Sequence, residues 1–230
     1  RPVFEGRVVL DGLELVTSPG ATPIEGITGT LLLTPGRITT DDLSLRWNGN
    51  VGVAGALTLD GLGMSGLRLN VHLEDVRSEP FQGLRTIVSG DLVLLGDDEL
   101  RSARGELTMT RGVYAEDLDL SIQALLGGRR AQSGTVSEPT RFDDVALEVR
   151  IAIPAGAFEV RNNVARMRGA GDLTVRGTFG RPLLLGSVEV AEGGRLELRG
   201  LRYDVTKGKV VFANPARNDP YFELEARTQV

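Results

Sequence analysis

Apolar and polar residues alternate with a period of two along most of this chain. From Val145 the odd positions read Val145, Leu147, Val149, Ile151 and Ile153, with Glu148 and Arg150 between them. Leu118, Leu120, Ile122 and Ala124 oppose Asp117, Asp119, Ser121 and Gln123. Leu67, Leu69, Val71 and Leu73 oppose Arg68, Asn70, His72 and Glu74, and Leu43, Leu45, Trp47, Val51 and Val53 continue the rule. Successive strand side chains point to opposite faces, so these runs predict strands with one dry face and one wet face. Helical spacing is absent beyond a possible short turn near Ser78 to Leu84, so the pattern predicts an all-β chain.

Strand-like segments recur about every ten residues, roughly seventeen in all, which is the rhythm of an all-β fold. Turn signals such as Pro35-Gly36, Asp60-Gly61, Gly193-Gly194 and Asn214-Pro215 separate them. Among the expected strands, 100–110 and 113–125, 143–153 and 156–161, 164–168 and 171–179, and 201–206 and 208–213 are read as separate. So many strands exceed what twisted open sheets reach before curling or splitting. The expected architecture is one long, curled, antiparallel-rich sheet forming an open, taco-like groove with an apolar lining. At ~4.8 Å per strand it spans about 80 Å. A β-sandwich or β-helix fragment, in which the dry face is only a core, stays open as an alternative.

Composition narrows the function more than the fold. Hydrophobic content of 41% and charged content of 25% are those of an ordinary globular chain. A formal net charge of −5 disfavours a nucleic-acid partner. No apolar run approaches the ~20 residues of a membrane-spanning helix. The absence of cysteine removes disulfides and thiolate catalysis. His72 is the single histidine and falls on a wet face, which leaves almost no room for Ser-His-Asp machinery. Acidic clusters at Asp41-Asp42, Asp97-Asp98-Glu99, Glu116-Asp117 and Asp143-Asp144 are types of residue that cleave glycosides or bind calcium. They sit at strand ends and wet faces, where solvated charge is expected anyway. No catalytic residue, metal ligand or cofactor is assigned, and the chain is read as a non-enzyme.

Residues 127–141 hold glycines, Arg129-Arg130 and nothing apolar larger than Val136, too little apolar area to offset the entropy of ordering them. This stretch is expected to be a flexible insertion in one continuous sheet running over 1–230. Arg1-Pro2 lacks a charged n-region and an apolar h-region, and the chain is read as a piece of a longer protein.

The last part of the chain, 142–230, carries a series of spaced marks. These are Gly171-Asp172-Leu173-x-Val175-x-Gly177, Arg181-Pro182-x-Leu184-x-Gly186, Gly194-x-Leu196, Tyr203-x-Val205, Gly208-x-Val210-x-Phe212 and Asp219-Pro220. In this order they resemble the C-terminal domain of the TamB family, in the AsmA-like group of bridge-type lipid transporters. The resemblance implies a periplasmic segment of an inner-membrane-anchored protein that reaches the outer membrane. It implies a hydrophobic groove for phospholipid transport, for translocation and assembly of outer-membrane proteins such as autotransporters, or for both. The partners implied are phospholipid acyl chains and a TamA-like outer-membrane barrel, with the fragment itself monomeric. The groove-lining candidates are Leu118, Leu120, Ile122, Val145, Leu147, Val149, Ile151, Leu196, Leu198, Val210, Phe212, Phe222 and Leu224.

The composition of 127–141 yields a test. Limited proteolysis is expected to cut first between Gly127 and Arg141, leaving two halves that co-elute on gel filtration; two separately folded products would contradict one continuous sheet.

Overall fold

The computed structural model describes residues 5–16, 22–61, 63–81, 83–117, 143–198, 200–214 and 221–228. Among them there is no helix; all regular structure lies in thirteen strands of one sheet. The strands are β1 (Gly6–Leu15), β2 (Ile24–Thr34), β3 (Arg37–Arg46), β4 (Asn50–Asp60), β5 (Gly63–Phe81), β6 (Leu84–Gly96) and β7 (Leu100–Tyr114). They continue as β8 (Ala146–Arg161), β9 (Ala165–Thr178), β10 (Arg181–Val190), β11 (Gly194–Leu198), β12 (Leu201–Phe212) and β13 (Tyr221–Thr228).

Neighbours in sequence are neighbours in space. The sheet runs β1 to β9 in order, then β10 and β11, then β12 and β13. β11 pairs with β9 and β12, as β10 does, so β10 and β11 lie end to end as one strand bent at 191–193. Every pairing is antiparallel except β7 with β8, which run parallel. The chain therefore leaves β7 at one long side of the sheet and enters β8 at the other. Twelve strand positions at ~4.8 Å give a width of roughly 50 Å, less than the ~80 Å expected from seventeen.

Four pairs of expected strands are single strands. The break expected at 111–112 stays in the ladder, because Arg111 and Gly112 pair with Ile87 and Thr86. The expected strand 113–125 thus contributes only its start to β7, and its 118–125 portion lies outside the described residues. Gly169 pairs with Phe158 and Val190 and keeps β9 whole. At 153–158 and 205–207 the cause is a bulge, where the ladder shifts register without ending. The turn allowed for near Ser78 is also replaced: β5 continues as strand through Phe81, and Ser78 pairs with Thr86 across the ladder. Glu79 and Pro80 do not break it.

No second layer covers this sheet among the described residues; the strands in extensive contact are those adjacent in the sheet. Apolar burial must therefore come from within one face. The closest packing joins Met109, Ile153 and Val188, with Val88, Ile151, Ala157, Phe158 and Leu173 against them.

Glycine permits part of this closeness. A Cβ on Gly90, whose φ is +147°, would fall on the carbonyl oxygen of Glu106 in β7, while one on Gly105 would fall on that of Asp91 in β6. The two backbones lean on each other reciprocally, an arrangement a side chain would forbid. Gly171 and Gly186 repeat it between β9 and β10, against Ser187 and Asp172.

This predicts a contrast between two glycines. Gly90→Ala should cost about 2–4 kcal/mol, from a strained φ and a backbone clash. Gly52, with no unusual φ and only the His72 Cβ at 3.7 Å, should accept alanine at a change within ~1 kcal/mol, favourable if anything. Urea denaturation midpoints would show this ordering, and equal effects would refute the close-approach account.

Candidate functional site

Residues paired directly across neighbouring strands share a face, so the register assigns the faces. One row links Leu43, Val53, Val71, Leu92, Gly105, Val149, Val175 and Leu184 from β3 to β10. The next, one step of the pleat away, links Leu45, Val51, Leu73, Gly90, Leu107, Ile151, Leu173, Gly186 and Phe212. Leu69, Leu94, Ala103 and Leu147 form part of a third. Between β3 and β10 none of these three rows carries a charged residue. Most of their large side chains are half-buried, neither sealed in a core nor free in water. One polar group interrupts them: the Thr40 hydroxyl, on a residue 7% exposed and paired with Gly55, has no hydrogen-bond partner among the described residues.

The opposite face is built from charges set directly across the ladder. His72 Nδ1 lies 2.8 Å from Asp91 Oδ1, and Arg150 Nη1 donates to Glu106 Oε1 at 3.0 Å. Glu148 stands between Arg104 and Arg176, at 3.7 and 3.9 Å. Lys209 faces Glu189 at 3.9 Å, and Arg46 faces Glu25 at 4.0 Å. All are solvent-exposed, so each contributes ~0–1 kcal/mol. Their larger effect is on register, since a slip of one residue would turn these charges onto the apolar side. Two shallow depressions open near this face, one bordered by Arg46, Asn50, His72 and Glu74 and the other by Asp42, Asn70, His72 and Asp91.

Members of three acidic clusters have structural partners. Arg101 Nη2 donates to Asp98 Oδ1 at 2.6 Å, and this bond holds the Asp98 carboxyl below the usual carboxylate range. Arg101 Nη1 reaches Glu99 at 2.8 Å. Asp42 accepts from the Thr30 amide at 2.8 Å, and Asp117 from the Asn163 amide at 3.0 Å. Among the described residues no group of three His, Asp or Glu is placed to hold a metal.

Leu147, Val149, Ile151 and Phe212 fall in the apolar rows described above. Val210 pairs with Val188 on the same face, and Leu224 stands over Gly208. Leu196 pairs with Ala165 and Tyr203. Leu198 and Phe222 take their places by backbone register, opposite Leu201 and Val210. Val145 precedes β8, is 4% exposed, and its carbonyl accepts from the Phe179 amide at 2.9 Å. Leu118, Leu120 and Ile122 lie outside the described residues.

The N-terminal rows from β3 to β6, read from the sequence as a dry strand face, and the packed residues Met109, Phe158 and Val188 were not among the groove-lining candidates. One signal for the glycine sites was present. Gly90-Asp91-Leu92 recurs as Gly171-Asp172-Leu173, and each first glycine has its reciprocal partner fifteen residues on, at Gly105 and Gly186.

The family model of the TamB C-terminal domain matches residues 39–230. No curated protein and no solved structure matches the chain. The match reaches well upstream of the marks in 142–230 and takes in the charge-free rows from β3 onward. The chain belongs to the TamB family, a family of transport and assembly modules of the outer-membrane pathway, through its C-terminal domain.

Proposed function

We propose that the apolar face lines an open trough that carries phospholipid acyl chains between the inner and outer membranes. The observation that carries this reading is the set of charge-free cross-strand rows from β3 to β10, half-buried on a sheet with no second layer among the described residues. A protein that needed those residues only as a core would close something over them.

The physics suits a conduit better than a pocket. Each methylene moved out of water gains ~0.8 kcal/mol, so two acyl chains crossing water face a barrier upwards of ~20 kcal/mol. An aliphatic surface need not bind those chains tightly; it need only resemble the membrane interior. Transfer is then nearly neutral, and rows whose single polar group is the Thr40 hydroxyl offer little to arrest a sliding chain. The headgroup stays in water at the mouth. In this reading the domain works in the periplasm, as part of an inner-membrane-anchored protein, beside a TamA-like barrel.

A second role rests on a separate observation. The outer edge of β13 has no strand partner among the described residues, and Tyr221 and Leu224 on it are exposed. Such an edge can template a strand of an outer-membrane protein by β-augmentation.

Leu147 tests the conduit. It is half-buried and its cross-strand neighbours are Ala103 and Gly177, which leaves room for a longer side chain. Leu147→Arg should melt within a few degrees of the parent, yet lose lipid, because a charge against acyl chains costs ~2–4 kcal/mol. Ile153→Arg, at a position 4% exposed, should instead unfold the sheet. Glu148→Gln on the wet face should do neither. Thermal melts read with native mass spectrometry of lipid-loaded protein decide the matter; a folded Leu147→Arg that carries lipid like the parent refutes the conduit.

A further inference from the structure

The apolar face is not uniform, and its discontinuity has a definite cause. Between Ile153 and Phe158, β8 takes five steps while β9 takes two, from Gly171 to Gly169. The three extra residues form a bulge at Pro154, Ala155 and Gly156, where Gly156 has φ +79° and open space around it. An odd number of extra residues reverses the parity of the strand. Up to Ile153 the odd positions face the apolar side; beyond the bulge the even ones do, so Phe158 joins that side.

Phe158 comes down between two glycines, Gly112 in β7 and Gly169 in β9. A Cβ at Gly112 would come within 3.1 Å of the Phe158 ring, and one at Gly169 within 3.6 Å. Met109 and Val188 close in on the same glycines. The result is a packed ridge, with Met109, Ile153 and Val188 only 4–7% exposed.

The ridge divides the face into two tracts. On one side run the rows through Val71, Leu92 and Val149, continuous from β3 to β10. On the other lie Val160 and Met167, paired with each other across β8 and β9 and half-buried like the residues of the first tract. This second tract has polar boundaries. The Ser78 and Thr86 hydroxyls, in the row of Phe158, meet at 2.8 Å where the ridge reaches β5. At its outer end Asn162 Nδ2 donates to the Glu116 carbonyl at 3.1 Å, while its Oδ1 accepts from the Val164 and Ala165 amides.

We infer that Phe158 is a positioning residue of the lipid path: the ridge it completes is the side wall of the acyl track and confines chains to the Val71–Leu92–Val149 side. The inference rests on the conduit reading above. A chain lying on the first tract meets only aliphatic side chains and glycine along the row through Val71, Leu92 and Val149. On the second it would run beside that hydroxyl pair and the hydrogen-bonded Asn162 cap, with the Tyr114 hydroxyl, which donates to Glu116, on the residue paired with Val160.

Photo-crosslinking tests it. Benzoylphenylalanine is placed singly at Val71, Leu92, Val160 or Met167, and each protein is incubated with vesicles of phosphatidylethanolamine and phosphatidylglycerol, irradiated and weighed. Labelling at Val71 and Leu92 should exceed that at Val160 and Met167 about tenfold, equivalent to ~1.4 kcal/mol of preference. Because the four sites are comparably exposed, solvent access alone does not produce that ratio. Phe158→Ala should raise labelling at Val160 toward the Val71 level, and Phe158→Leu, which keeps an apolar filler, should raise it less. Equal labelling on both sides of the ridge in the parent, or a Phe158 variant that folds and labels as the parent does, overturns the wall and leaves the conduit standing. No lipid at any of the four positions removes both.

Discussion

A sheet with nothing packed on its apolar side has to bury that side using only its own neighbours. Strands ~4.8 Å apart cannot do this with large side chains everywhere, because each side chain then shields only the flanks of the next. This domain meets the constraint by setting large residues beside glycine. Phe158 spreads over Gly112 and Gly169, and Val190 and Leu224 close over Gly208. Where that happens the glycine itself is buried, as Gly112, Gly169 and Gly208 are; where large residues neighbour one another, as Val53, Val71 and Leu92 do, they stay half-buried.

The same constraint gives the wet face its form. With no second layer among the described residues to hold the strands in place, register depends on the backbone ladder and on what a slip would cost. The ion pairs stand almost directly opposite one another across the ladder, as Glu106 does to Arg150 and Glu148 does to Arg104 and Arg176. Individually they are too exposed to add much stability. Collectively they make a one-residue slip expensive, since it would put several charges among leucines and valines. This matters most at β7 and β8, whose parallel pairing is not set by a tight turn.

A surface that is apolar, open and without directed polar groups is suited to a ligand that moves. A pocket fixes its ligand with a few placed donors and acceptors, and the rows between β3 and β10 offer none beyond the Thr40 hydroxyl. The reading of the face as a lipid track and the family to which the chain belongs are thus consistent for a physical reason. The bulge in β8 adds a refinement: three inserted residues, by reversing parity, bring the Phe158 ring beside rows that between β3 and β10 are built from aliphatic residues and glycine.

The all-β character, the two-sidedness of the strands and the family resemblance were legible in the amino-acid order, because strand periodicity is local and needs only a few residues to declare itself. Leu147, Val149 and Ile151 could be put on one face from spacing alone. Their partners could not: that Ile151 meets Leu107 on one side through a parallel pair, and Leu173 on the other, depends on contacts between segments far apart in the chain. Strand ends were misread wherever a glycine or a bulge interrupted the alternation without ending the ladder, at Gly112, Gly169 and the 153–158 bulge. A bulge and a turn look alike in sequence, and only pairing tells them apart. The same holds for Phe158, which the parity of Val149 and Ile151 would place on the wet side. Its position was decided by how many residues β9 offers opposite the bulge, a quantity that exists only once the strands are paired.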